Sequence, residues 1–250
     1  MKIAVCVSHV PDTATKVKLN QDGKTIDPAG VTYIINPYDE FAVEEALKTK
    51  EKIGGDSEVT VISVGISTNS ETIRKALAMG VDKGVLLKDD NPRDSFGIAK
   101  ALSEEIKSIG AELVFFGKQS VDYDNSTTGQ MTAQMLDYSC VTVVVKFDLE
   151  GNKISAEREI EGGKEVVETQ LPAIITCQKG LNEPRYASLK GIMAAKKKSI
   201  EEKPAAAYDN NIETLKMHLP AAKQPGRILG TDATAVPELV RLLREEAKVI

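Results

Sequence analysis

The sequence predicts an α/β protein with a mostly parallel, doubly wound sheet, an antiparallel extension and a long C-terminal arm. Short apolar runs alternate with amphipathic, helix-length segments over roughly the first 135 residues, which is typical of a parallel sheet covered by helices. Later strand patterns follow one another across turn sequences, which predicts the antiparallel part. A chain of 250 residues suits one large domain with an appendage.

Apolar runs in the first half each end in a loop. We expect the loops after Val7, Ile35, Val64 and Phe116 to leave the carboxyl edge of the sheet, where ligands bind in such folds. Capping residues, proline and glycine mark the helices between these runs. The predicted helices are one from Pro37 to about Ile53 with Asn36 as N-cap, one capped by Ser70 and ended by Gly80, and one capped by Asp94 and ended by Gly110.

A polar loop at residues 117–131 joins the predicted strand at residues 113–116 to the next helix. Backbone N–H groups and the positive end of a helix converge on such a loop, which suits a phosphate. Its hydroxyl groups add hydrogen-bond donors. The glycine spacing of a Walker loop is absent. An ordinary strand-to-helix turn with Ser or Thr as N-cap therefore remains an alternative.

The second half changes in pattern. We predict that its strands extend the sheet in antiparallel fashion. The whole chain is then divided into a nucleotide-binding α/β domain at residues 1–198 and an arm at residues 199–250 that packs on a partner. The predicted elements are strands at residues 141–148, 153–160, 164–171 and 173–177, an aperiodic arm at residues 199–230, and an amphipathic helix at residues 236–248.

Composition narrows the class of protein. The net charge of −5 does not favour binding to nucleic acid or to an anionic membrane, and no apolar run approaches the length of a membrane span. The first residues read directly as a strand, so we expect no targeting peptide and a cytoplasmic location. The widely spaced Cys6, Cys140 and Cys177 are expected to be buried, reduced thiols and not a metal site.

Four segments, taken in order, carry a specific resemblance that covers essentially the whole chain. They are residues 35–46, residues 71–80, the loop at residues 117–131, and residues 157–163 continuing through 171–176 to 182–186. In these segments the chain resembles the beta (small) subunit of electron transfer flavoproteins. The resemblance implies an obligate heterodimer with an alpha subunit, which carries most contacts to one FAD near the subunit boundary.

The resemblance also implies an electron carrier that transforms no substrate. Electrons enter from acyl-CoA and related dehydrogenases and leave to a membrane quinone oxidoreductase. The beta subunit of this family buries an AMP that is generally viewed as structural. By resemblance, the residues of this site are Cys6, Asn36, Pro37, Tyr38, Asp39, Val64, Gly117, Lys118, Gln119, Ser120, Val121, Asp122, Tyr123, Asp124, Asn125, Ser126, Thr127 and Thr128.

Individual roles follow within that set. We expect the AMP phosphate on the backbone of the loop, with Ser126 and Thr128, and the adenine near Cys6 and Val64. Asn36 either caps its helix or bonds the nucleotide, or does both. Lys118 either pairs with the phosphate or points to solvent. Tyr38 either packs on the isoalloxazine ring or belongs to the core at the helix start.

A second matched segment at residues 181–198 resembles the partner-recognition loop of the family. Leu189 matches its protruding leucine. An exposed apolar side chain among polar residues suits an interface hot spot. The alternative is a core leucine of an amphipathic helix. The residues expected to contact partners are Arg185, Tyr186, Leu189, Ile192 and Met193.

Three other functions remain as alternatives. Residues 10–13 resemble electron-bifurcating members of the family, which hold a second FAD in place of AMP, whereas Gly129-Gln130-Met131 resembles the AMP-binding branch. A stand-alone adenine-nucleotide sensor would have no use for the long arm. An adenylate-forming enzyme would need a catalytic base or a pyrophosphate-binding glycine loop, and the sequence shows neither.

Overall fold

The computed structural model describes residues 1–223 and 225–250, which are organised around one large sheet. The strands are β1 (Lys2–Cys6), β2 (His9–Pro11), β3 (Tyr33–Ile35), β4 (Glu58–Gly65), β5 (Lys83–Lys88), β6 (Leu113–Gly117), β7 (Ser139–Glu150), β8 (Lys153–Ile160), β9 (Gly163–Gln170), β10 (Ala173–Cys177) and β11 (Ile200–Pro204). The α-helices are α1 (Pro37–Ile53), α2 (Asn69–Met79), α3 (Ser95–Ile109), α4 (Thr128–Leu136), α5 (Leu189–Lys197) and α6 (Val236–Glu245).

Among the described residues, the large sheet has nine strands in the order β11-β5-β4-β1-β6-β10-β7-β8-β9. Pairing is parallel from β11 to β7 and antiparallel from β7 to β9. Helices cover both faces. Alternate residues of β1 point to opposite sides, so Ile3 and Val5 pack with α1 and α2, whereas Ala4 packs with α3 and α4. The predicted α/β class is confirmed.

Strand β10 corrects one detail of the predicted topology. It lies within the parallel part, where Ala173 is opposite both Leu113 of β6 and Ser139 of β7, and so it does not belong to the antiparallel extension. All residues of β10 are buried, whereas half of the residues of β8 and most of those of β9 are exposed. A continuous apolar run is typical of a strand covered on both faces, and that difference separates β10 from its neighbours in sequence.

The loop after Ile35 does not leave the large sheet, contrary to the prediction. Strand β3 pairs antiparallel with β2, with Ile35 opposite His9, in a separate two-stranded sheet. Both edges of β1 are already occupied, by β4 and β6, so this short strand has no place beside it. Helix α1 nevertheless begins next to the carboxyl edge, as described below.

Helix starts follow the predictions only in part. Asp94 caps α3, because its side chain accepts a hydrogen bond from Gly97 N. Helix α2 begins at Asn69, one residue before the predicted cap Ser70, and Thr68 stands at the N-cap position without a side-chain capping bond. Asn69 instead donates to Val64 O at 3.1 Å, which ties the helix start to the end of β4.

The predicted arm contains an unpredicted strand. Strand β11 pairs parallel with β5, from Ile200 opposite Gly84 to Pro204 opposite Lys88, and forms the edge of the sheet. A proline is tolerated there because an edge strand leaves one row of N–H groups unused. Residue 224 of the predicted arm lies outside the described residues.

The structure also tests the predicted burial of the cysteines and the predicted end of the last helix. Cys6 and Cys177 are buried as expected, but Cys140 is exposed, because it lies near the start of β7 where side chains reach solvent. Helix α6 ends at Glu245, three residues before the predicted end, and has no buried residue in the described chain. None of the helices formed by the described residues is both long and apolar enough to cross a membrane.

Candidate functional site

The carboxyl ends of adjacent parallel strands meet beside the polar loop that follows β6. In the sheet register, Cys6 of β1 lies opposite Ile62 of β4 and Phe116 of β6, and Cys177 of β10 lies opposite Gly117. Lys118 N donates to Cys177 O at 2.9 Å and continues this register by one residue. The loop at residues 118–127 therefore leaves the centre of the sheet at its ligand-binding edge.

The buried side chain of Asn36 holds the backbone of this loop in place. Its side chain is fully buried, its Nδ2 donates to Gln119 O at 2.8 Å, and its Oδ1 accepts from Val121 N at 3.1 Å. Asn36 stands at the N-cap of α1 but makes no side-chain capping bond. Of the predicted roles, capping is thus wrong. The buried amide instead fixes the loop backbone, which the sequence does not reveal because the loop is more than eighty residues away.

Asp39 connects two loops at the same edge. Its Oδ2 accepts from Ser8 N at 2.7 Å, just after β1, and its Oδ1 accepts from Gly117 N at 3.1 Å. Burial raises the pKa of Asp39 to about 7, against the opposing effect of these hydrogen bonds. A Cβ atom at position 117 would overlap the Asp39 carboxylate, so this close approach requires glycine.

The loop is also braced by hydrogen bonds within itself. Ser126 Oγ donates to Gln119 Oε1 at 3.0 Å, and Asp124 N donates to Ser120 O at 3.0 Å. Asp124 and Ser126 adopt left-handed backbone conformations, with φ of 52° and 50°. Left-handed residues of this kind occur in the backbone turns that bind anions.

The start of α4 is not capped by the side chain that precedes it. Thr127 occupies the N-cap position and makes no side-chain capping bond, so the alternative of an ordinary hydroxyl-capped turn is wrong in that detail. Thr128, the first residue of α4, is half-buried, and residues 122–127 are exposed. The positive end of this helix therefore faces an accessible loop.

The other predicted residues surround this loop. The Lys118 ammonium lies 5.1 Å from the centroid of the Tyr38 ring, within the range of a cation–π contact. The residues Pro37, Tyr38 and Val64 are each half-buried. Cys6 is buried, and that burial raises the pKa of its thiol well above the usual value. The site so formed offers backbone and hydroxyl donors and carboxylate acceptors.

Comparison with known proteins identifies the family. The model of the family described as "Electron transfer flavoprotein domain" matches residues 24–208. An electron transfer flavoprotein subunit beta from Bradyrhizobium diazoefficiens is 42% identical over 250 residues, covering 100% of both chains. Those from Bacillus subtilis and Mus musculus are 39% and 37% identical and cover 100% of this chain and 100% and 99% of their own. The chain belongs to the electron transfer flavoprotein beta subunit family.

In this beta subunit, the predicted recognition segment ends in an exposed helix. Leu189 is 84% exposed at the start of α5, and Tyr186 before it is 99% exposed. The alternative of a core leucine is therefore wrong. Ile192 and Met193 continue the exposed apolar surface, at 40% and 60%. We call Tyr186, Leu189, Ile192 and Met193 the α5 patch.

Helix α5 is held firmly behind this patch. Arg74 of α2 donates to the carbonyl oxygens of Ala195 and Lys198 at 2.6 Å each. Gly191 packs directly against the backbone of α2, where a Cβ would overlap Ala78 O. Ser188 caps the helix by accepting from Gly191 N at 3.0 Å. The exposed apolar side chains of this beta subunit thus sit on a rigid support.

Arg185 makes ion pairs within this chain and stays 34% exposed, so its predicted contact with a partner remains a prediction. Its guanidinium bonds Glu44 at 2.8 Å and Glu51 at 2.6 Å, both on α1, and Glu44 is buried. Asn182 also donates to Glu45 of α1 at 2.8 Å. Sequence reasoning missed these acidic partners, although Glu44 and Glu51 stand seven residues apart and so share one face of a helix. Arg185 fastens the recognition segment to the protein's own helix.

Proposed function

We propose that this chain pairs with an electron transfer flavoprotein alpha subunit in a heterodimer that carries electrons and transforms no substrate. The observation that carries this proposal is the uncovered apolar surface of the arm. Ile212, Leu215, Leu219 and Ile228 are 74%, 79%, 55% and 86% exposed. Apolar side chains spaced along an extended segment are typical of a surface that a partner covers. The alpha subunit is the partner that the family implies.

The same proposal places AMP at the loop after β6. The phosphate would contact the loop backbone and the start of α4, with Ser126 and Thr128, because the positive end of a helix favours an anion. Ser126 would have to exchange its bond to Gln119 Oε1 for one to the phosphate. Asp122 and Asp124 are acceptors and suit ribose or adenine donors better than a phosphate. Asn36 and Asp39 support the loop from its buried side. In this view the nucleotide stabilises the fold and takes no part in electron transfer.

One FAD would lie near the boundary with the alpha subunit, which would hold most of it. Tyr38 is the aromatic side chain of this chain that we place against the isoalloxazine ring. Its ring is half-buried and has Lys118 on one face, so the supporting observation is an aromatic group at the accessible edge of the sheet. The flavin would supply the redox chemistry, and this chain would position it and limit water access.

Electrons would come from acyl-CoA and related dehydrogenases through contacts at the α5 patch, and would leave to a membrane quinone oxidoreductase. A rigid helix with exposed leucine and methionine provides the anchor that such transient contacts need. Arg185 would hold the segment in place through Glu44 and Glu51, and its exposed part would contact the partner.

Co-expression with the alpha subunit, followed by a flavin spectrum, tests this function. We expect a stable heterodimer with bound FAD that an acyl-CoA dehydrogenase and its substrate reduce. Reduction by NADH with a second FAD present would favour the bifurcating members instead. A stable single chain that binds nucleotide and no flavin would contradict the electron-carrier function and favour a nucleotide sensor.

A further inference from the structure

The chain that follows β11 is fastened to the start of α3. Arg93 Nη2 donates to Ala206 O at 2.6 Å, and Asn210 Nδ2 donates to Pro92 O at 2.7 Å. Asp94 N in turn donates to Asn210 Oδ1 at 3.0 Å. These bonds join residues 92–97 to residues 206–211 over more than one hundred positions of sequence. We call this contact the arm clamp.

Tyr208 occupies the centre of the arm clamp. Its ring stacks on Phe96 with 5.9 Å between centroids, and its hydroxyl lies 3.3 Å from Asp94 Oδ2. Gly97 makes room for this ring, because a Cβ atom there would overlap it. Glycine is a weaker helix former than alanine, yet it stands in the first turn of α3. The first turn of α3 thus has space for the Tyr208 ring, and the glycine that provides this space lowers the helix propensity of the turn.

The arm clamp is followed at once by exposed apolar side chains. Asn211 N donates to Asp94 Oδ2 at 2.8 Å, whereas Ile212, the next residue, is 74% exposed. Beneath the clamp, Arg93 pairs with Asp89 at 2.6 Å, and their side chains are only 6% and 19% exposed. A pair so well shielded from solvent orders the guanidinium that holds Ala206. Farther along, Glu213 accepts from Lys24 Nζ at 2.6 Å and Met217 N donates to Gly23 O at 2.7 Å, so the clamp is the first of several contacts that order the arm while its apolar side chains stay exposed.

We infer that the arm clamp is a positioning device for assembly with the alpha subunit. It holds residues 206–211 in place before binding, so that the apolar segment from Ile212 onward meets its partner already directed. An ordered starting point lowers the conformational entropy lost on association. The inference rests on the heterodimer proposed above, and it assigns to residues 206–211 the role of ordering the arm before association.

Two variants remove the aromatic contact at the centre of the clamp in different ways. Tyr208→Ala deletes the stacked ring, and Gly97→Ala displaces it while improving the propensity of α3. Each heterodimer is diluted and its dissociation followed by flavin fluorescence. We expect the dissociation constant to rise about tenfold in both variants, since several residues must then be ordered on binding. Asp209→Ala, an exposed neighbour in the same segment, is the matched control and should stay within about twofold of the unmodified protein.

Gly97→Ala separates positioning from simple stability. If residue 97 mattered only for the stability of α3, alanine would leave dissociation unchanged or slow it. The double variant should be no weaker than Tyr208→Ala alone, because the ring that Ala would displace is then absent. Wild-type dissociation constants in both single variants would overturn the clamp while leaving the heterodimer intact. Failure of the unmodified chain to assemble with its co-expressed alpha subunit would overturn the proposed function, and the clamp with it.

Discussion

Replacing Leu189 with alanine tests the α5 patch most directly. Leu189 is 84% exposed, so truncation leaves no cavity in the free protein and its melting curve should not change. A dehydrogenase that buries this side chain gains about 1.5–3 kcal/mol from its transfer out of water. Alanine loses most of that gain. Because about 1.4 kcal/mol corresponds to a tenfold change, affinity should fall about tenfold to a hundredfold.

The assay is the rate of flavin reduction by an acyl-CoA dehydrogenase over a range of dehydrogenase concentrations, with thermal unfolding measured in parallel. Leu102→Ala is the matched control, because Leu102 is also a helix leucine but is only 3% exposed in α3. That change should cost about 2–5 kcal/mol of stability and leave the dehydrogenase affinity of the folded protein unchanged. A lower melting temperature for Leu189→Ala with unchanged dehydrogenase affinity would refute the assignment of the α5 patch.

Three further changes test the nucleotide site. Asn36→Ala should cost about 1–3 kcal/mol and lower AMP content, because it leaves Gln119 O and Val121 N without their partner; full AMP retention in the purified heterodimer would contradict this role. Gly117→Ala should lower the melting temperature, since its methyl group overlaps the Asp39 carboxylate, and an unchanged melting curve would show that the loop can move away. With its pKa raised by burial to about 7, Asp39 favours the folded state most at low pH and loses that contribution as pH rises toward 7. The stability of the unmodified protein relative to Asp39→Asn should therefore fall between pH 4 and pH 7 in denaturant titrations, and a constant difference would contradict the buried carboxyl.

Local signals explain why much of the fold follows from sequence. Continuous apolar runs predict the strands of the parallel sheet, and the Asp94 cap and Gly110 place α3 correctly, because the residues that decide these features are neighbours in the chain. Pairing is different. Strand β10 lies between β6 and β7, and β3 lies outside the large sheet. Both placements depend on which strand edges are already paired with other strands, and a local sequence pattern does not reveal that.

The candidate site also contains features that the sequence predicts and features that it does not predict. The loop after β6 is predicted by its composition and its place after a buried strand. The roles of Asn36 and Asp39 are not, because the groups that they bond lie far along the chain or across the sheet. The sequence likewise leaves open whether Leu189 lies on the surface or in the core, since helical spacing alone fits both. The packing of α5 on α2 decides that Leu189 is exposed.

The mass of the intact heterodimer, measured under native conditions with its bound nucleotides, tests the central claim most directly. The proposed function predicts the sum of the two chains plus one FAD and one AMP. Asn36→Ala should then lose the mass of AMP and keep that of FAD, since the Asn36 side chain bonds the backbone of the nucleotide loop. A mass that includes two FAD and no AMP, or a single chain without flavin, would contradict the account.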